Sequence, residues 1–326
     1  MLAGLFRSNQ PGVLLALLVL VPLLFGPTLW VPFVAAPPVM PLTAVLELML
    51  AGAPWAQGLL GMVLVMAVAV QLTVLVNNTE LMERRNHLPA FLFPLLLAAF
   101  SRNELFDPAL AGMPLVILAL RRTWSMTSTG AVLGSLFDAG ILLGLASLFY
   151  VPYVFLVVVV WASASVIRSF QWREYVVPLL ACILVFYVAW AVQRLMGHVH
   201  WRPLLTIAHP VAQGGAPGGP IELQRILLYA VLGPVLLVAG IVFARVYQRS
   251  VMREKNLRSS FLAFVVALGV LIILVGFLNK GFPPVLLATP LAVFGGYALI
   301  GTRRAWLSEI AAFALLGLAF WAQWGR

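Results

Sequence analysis

"SLFDAGILLGLASLFYVPY", residues 135–153, places a single carboxylate, Asp138, in an otherwise apolar run. The surroundings of that run decide the fold. The chain has 326 residues, of which 63% are hydrophobic and 9% charged, with a mean hydropathy of +1.05. A soluble domain carries roughly 25% charged residues. So few charges cannot cover a water-facing surface, so most of this surface faces lipid. The reading is an all-α polytopic transmembrane bundle.

Apolar runs of the length a bilayer requires, about 20 residues, recur along the chain. They predict eleven helices, at 13–34, 56–76, 88–100, 108–120, 128–148, 151–167, 176–192, 226–244, 261–278, 283–300 and 306–323. The third and fourth are short and flank "SRNELFDP", residues 101–108. The first follows Arg7 and imitates a secretory signal, but its apolar region exceeds the usual 7–15 residues. It reads as an uncleaved span.

The formal net charge of +10 is explained by orientation. With the N-terminus inside, fourteen of the 20 Lys and Arg residues fall in inside segments. Cytoplasmic loops carry that excess, so the layout is N-in and C-out. No basic stripe with interleaved aromatics lies away from a helix flank, which excludes nucleic acid as a partner. Membrane lipids are the first partners implied.

The longest connection, 193–225, ends in "HPVAQGGAPGGP" and reads as an outside loop, since Gly and Pro cannot continue a helix. It divides a front block, 1–192, of about seven spans from a rear block, 226–326, of about four. In the first outside segment, "PLTAVLELMLAGAPW", Leu46, Met49, Leu50 and Ala53 recur at helical spacing. The pattern predicts an amphipathic helix lying in the interface, with Glu47 upon it.

Chemistry-bearing residues are few. Asp138 follows Gly134 by one turn and Gly130 by two; Gly140 and Gly144 form a second small pair. Such faces admit close helix contact, and an intramembrane acid demands a partner. Asn77, Asn78 and Gln71 are its expected partners; alternatively it caps a helix starting at Ala139. Glu47, Glu104 and Asp107 are candidate acids on the outer side, beside Arg102, which could hold a phosphate. In "IRSFQWREYVVP", Arg168 and Arg173 flank Trp172 at the inner interface, as phosphate contacts or as an anchor. Three histidines in "HVHWRPLLTIAH" lack accompanying ligands, so no metal or other cofactor is expected. Cys182 reads as a small packing residue.

"RSNQPGVLL", "LTVLVNNTELMERRNHLPAFLFPLLLAAF" and above all the run from Phe137 to Pro178 resemble an uncharacterised family of polytopic bacterial inner-membrane proteins. The resemblance implies the bacterial inner membrane as location. A broader likeness, carried by "GLA", a short turn and the Arg168 to Glu174 segment, links the chain to GT-C glycosyltransferases. That likeness implies an outer-leaflet transferase using polyprenyl-phosphate sugars. The family's acid follows the first span directly, where this chain has "VPFVAAPPVMP" and no acid; Glu47 comes later. Three functions therefore stand as expectations. The sequence favours a non-enzymatic membrane subunit of a cell-envelope assembly. A GT-C-like transferase acting on a lipid-linked substrate is the alternative, and a transporter or flippase coupled through Asp138 the third.

Overall fold

The computed structural model describes residues 2–7, 10–29, 40–50, 53–101, 105–126, 132–167, 171–195, 220–279, 282–302 and 305–324. Among these residues the chain forms α1 (Leu2–Arg7), α2 (Leu17–Phe25), α3 (Pro41–Leu50), α4 (Pro54–Asn78), α5 (Leu88–Phe100), α6 (Pro108–Trp124), α7 (Leu133–Ser147) and α8 (Val157–Ile167). They continue with α9 (Trp172–Leu195), α10 (Pro220–Arg249), α11 (Met252–Asn279), α12 (Pro284–Gly301) and α13 (Ala305–Trp324). Short 3-10 segments at Pro11–Ala16, Gly26–Leu29 and Val151–Leu156 extend α2 and α8. No strand occurs among the described residues.

Proline sets many of these boundaries. It opens α4, α5, α6 and α12, where its missing N–H is one the first turn leaves unpaired anyway. Pro94, Pro114, Pro178, Pro234 and Pro290 lie inside helices, as bundles in lipid tolerate.

Among the described residues, seven helical stretches are long and apolar enough to cross a membrane: Gly12–Leu29, Trp55–Asn78, Trp172–Leu195, Ile226–Arg249, Met252–Leu278, Pro284–Gly301 and Trp306–Trp324. Each coincides with an expected span. The other four expectations, 88–100, 108–120, 128–148 and 151–167, correspond to helices of 13 to 17 residues. At 1.5 Å per residue these are roughly 20–25 Å long, short of a ~30 Å hydrocarbon core. The rear helices exceed the expectation: α10 and α11 carry the helix through the basic run to Arg249 and from Met252, leaving only Ser250 and Val251 between them.

Side-chain contacts sort the helix ends into two groups. At one end Trp124 donates Nε1–H to Ser163 Oγ at 3.2 Å and meets Phe261 edge-on, while α1 reaches α13 through Gly4 N–H and Glu309 (2.9 Å). At the other, Gln323 donates to the carbonyl of Ala98 (2.9 Å) and Thr43 to that of Phe149 (3.1 Å). Every residue of α5 from Leu88 to Ala99 is buried, so α5 is the centre. By contrast α9 buries only Glu174, Pro178, Ala181 and Cys182, one narrow stripe on a helix otherwise turned outward.

That stripe meets α7. Gly140 packs on Pro178 and Ala181, and Gly144 on Cys182 and Val185, so α7 and α9 run parallel. Cys182 contributes as expected, its thiol donating to the Gly140 carbonyl at 3.1 Å. Gly134 has no atom within 4 Å of where a Cβ would sit. The second small pair therefore makes the close contact and Gly134 takes no part in it, because α9 docks on the half of α7 beyond Asp138.

Candidate functional site

The densest polar assembly lies at the end of the bundle that holds α1, and it grows from "NNTELMERRNHLP", residues 77–89. Thr79 turns its hydroxyl back onto the Leu75 carbonyl (2.7 Å). Glu80 then takes a left-handed conformation, φ 51°, costly for a residue with a Cβ. The reversal lets Asn77 and Asn86 clasp each other: Asn77 Nδ2–H donates to the Asn86 carbonyl (3.0 Å), and Asn86 N–H to Asn77 Oδ1 (3.2 Å). Asn86 Oδ1 also accepts from Leu88 N–H at 3.1 Å, which starts α5.

The same reversal presents the Leu81 carbonyl to two donors, Arg258 Nε–H at 3.1 Å and the Tyr297 hydroxyl. Arg258 is 2% exposed. A buried guanidinium is tolerable only when its donors are met. Nη1 donates to Glu254 Oε2 at 2.9 Å and to Ser250, and Nη2 to the Glu80 carbonyl at 3.4 Å. Close by in sequence, His87 is buried; its N–H donates to the Phe6 carbonyl (2.8 Å) and neither ring nitrogen has a hydrogen-bond partner in the structure. Desolvation lowers its pKa below the usual 6.5. Arg7 donates to the Leu299 carbonyl and to Ser308 Oγ (3.1 Å). These groups hold six helices together at one end.

At the opposite end Asp107 accepts from Ala109 N–H at 2.9 Å and caps α6. Tyr153 donates its hydroxyl to the Ala109 carbonyl (2.6 Å). The cavity beside Asp107, bounded by Ser101, Leu105 and Pro284, measures about 10 Å³, room for one water. Arg102 and Glu104 lie outside the described residues, as do Arg168 and the side chain of Glu47; the Glu47 backbone belongs to α3.

Asp138 has a different partner from those expected. Its carboxylate lies 3.8 Å from Arg122 Nε, both side chains at least half exposed. The close packing of α6 on α7 brings Arg122, in the last turn of α6, to Asp138, whereas Asn77 is committed to Asn86. Asp138 caps no helix, since α7 begins at Leu133 and runs through it. Arg173 is exposed with its guanidinium 5.8 Å from the Trp172 ring centre, an aromatic–basic pairing at a helix start. No cluster of three metal-ligating side chains occurs among the described residues.

A larger cavity is apolar. A groove of about 300 Å³ runs between α10 and α11 over α12, lined by Leu236, Gly240, Gly269, Ile272, Leu291 and Phe294 among others. Sequence reasoning missed this groove, and it missed Arg258 as a bundle centre. A signal for Arg258 existed: Glu254 precedes it by four residues, the favourable helical order for an ion pair.

No family model, curated protein or solved structure matches the chain. The class follows from fold and site alone. This is an all-helical membrane protein whose described polar assemblies of several residues lie toward the two ends of the bundle.

Proposed function

We propose that the chain is an eleven-pass protein of the bacterial inner membrane, N-in and C-out, acting as a non-enzymatic subunit of a cell-envelope assembly. The observation carrying this reading is how its polar groups are used. Asp107 caps α6, Asn77 clasps Asn86, Asp138 faces Arg122 and Arg258 binds two helix connections, at Glu80–Leu81 and at Ser250. Each of these four side chains holds one helix to another or to its own turn. The narrow buried stripe of α9 leaves a broad apolar flank for a second membrane protein.

The layout draws support from the two groups of helix ends. Arg7, the 79–87 turn, Trp124 and Arg258 share one end, the end predicted as inside; Thr43, Ser101, Asp107 and Gln323 belong to the other. The short helices α5 to α8 then each traverse the bundle once, shielded from lipid mainly by their neighbours.

Purification in a mild detergent tests the role. A fixed partner should co-elute in constant ratio, and Asp107→Asn should keep the complex intact. A lone monomer, or an Asp107→Asn chain that accumulates normally but loses all activity in cells, would sink the subunit reading in favour of a transferase. A reporter fused after Arg326 tests the layout separately and should read out on the exterior.

A further inference from the structure

We infer that α1 is an acid-released latch: protonation of the His87 ring undocks Leu2–Arg7 from the starts of α5 and α13 and from the end of α12. The latch depends neither on the subunit role nor on the N-in layout proposed above. That layout says only that the pH it reads is cytosolic.

Helix α1 cannot hold itself. Its six residues fall far below the roughly 12–15 at which an isolated helix becomes marginal in water. Docking sets its place: Gly4 N–H on Glu309, Arg7 on the Leu299 carbonyl, Thr302 and Ser308, and the Phe6 carbonyl on His87 N–H. The Phe6 ring, 1% exposed, stacks on Phe91 with centroids 4.7 Å apart. Arg7 Nε is buried without a hydrogen-bond partner, a cost that docking imposes and release removes.

His87 stands at this junction with a similar cost. Its side chain is buried and neither ring nitrogen has a hydrogen-bond partner. Neutral, the ring leaves one donor and one acceptor unmet; protonated, it carries two unmet donors and a charge, which apolar surroundings do not tolerate. No carboxylate at the junction offsets that charge. Of the helices packed on α5, α2 and α4 have no titratable side chain. From α1 comes Arg7, of the same sign as a protonated ring. From α12 comes Tyr297, which donates to the Leu81 carbonyl, and from α13 Glu309, which accepts from Gly4 N–H. Glu80, Glu83, Arg84 and Arg85, in the turn before His87, are exposed. Water must therefore reach a protonated ring, and α1 is the element that can leave. α5 is the buried centre, while α2, α4, α12 and α13 belong to stretches long enough to cross a membrane.

Nitroxide labels at Leu5→Cys and Trp306→Cys, both exposed positions, in a Cys182→Ser background report the distance from α1 to α13. Pulsed electron double resonance on the full chain in detergent reads it. At about pH 7.5, where the ring is neutral, the distances should form one short, narrow population. Undocked molecules should add a long, broad population that rises up to about tenfold for each pH unit below about 6.5. His87→Gln and His87→Phe, neither of which titrates, should each keep the short population at about pH 5.5. Distances in the labelled protein that do not change between about pH 7.5 and 5.5 overturn the inference, and so does release that survives both His87 variants. Should both variants fail to fold or to dock at neutral pH, the pH profile of the labelled protein decides. Release that begins near about pH 6.5 belongs to the imidazole, whereas release confined below about pH 5 belongs to a carboxylate and overturns the inference.

Discussion

Gly140 lies so near Pro178 that a methyl group in its place would stand 2.8 Å from the Pro178 Cα and 2.7 Å from the Ala181 Cβ. Backbone cannot yield as a flexible side-chain tip can. Gly140→Ala should therefore destabilise the protein by about 1–3 kcal/mol, the usual range for overpacking. Gly134→Ala, one and a half turns earlier and in open space, should be neutral or slightly stabilising. Thermal unfolding of both variants in one detergent makes the comparison.

Arg258 and Tyr297 share the Leu81 carbonyl. Tyr297→Phe leaves that acceptor satisfied by Arg258 and should cost about 1 kcal/mol. Arg258→Met also strips Glu254 and the Glu80 carbonyl of a donor, and about 3 kcal/mol is expected. The double variant leaves Leu81 without either donor, so its loss should exceed the sum of the two. A strictly additive result in a double-mutant cycle would show that the two donors act independently.

His87 gives a pH dependence whose sign is fixed. Its folded pKa lies below 6.5 because burial disfavours the cation, so below about pH 6.5 the unfolded chain binds a proton that the native state refuses. Stability at this residue is complete above the unfolded pKa and falls as pH drops through about 6.5 toward the folded value. His87→Gln should flatten the melting temperature between about pH 7 and 5 relative to the unaltered protein.

Arg122 and Asp138 should respond asymmetrically. With Asp138→Asn, Arg122 keeps its place in the last turn of α6 and can reach water along its own stem; the exposed pair contributes under about 1 kcal/mol. Arg122→Gln leaves a carboxylate within an apolar helix, which costs about 2.5–3.5 kcal/mol at the bilayer centre and less toward the interface. Cellular accumulation should fall in Arg122→Gln, hold in Asp138→Asn and recover in the double variant. A drop in Asp138→Asn alone would assign the acid an essential structural bond.

Much of the helical layout was legible because one physical property, the preference of an apolar run for lipid, produces it. That property is local, and Trp55–Asn78 and Trp306–Trp324 could be read from their own residues. It failed at the basic ends of α10 and α11, where hydropathy predicted termination at 244 and resumption at 261. Backbone hydrogen bonds continue through Arg245 and Arg253 regardless of side-chain charge, once those residues leave the hydrocarbon. The polar assembly was less legible still. Arg258 meets a carbonyl 177 positions away, and a main-chain acceptor bears no sequence signature. The partner of Asp138 was misread for a related reason: the packing of α6 on α7, not the composition of either helix, brings Arg122 to it.

Gly4 and Arg7 bind groups between Leu299 and Glu309, 292 to 305 positions along the chain. Helix α1 thus waits, through the making of everything between, for docking groups that lie that far along the chain. A nascent chain halted before α12 emerges leaves Arg7 without these acceptors.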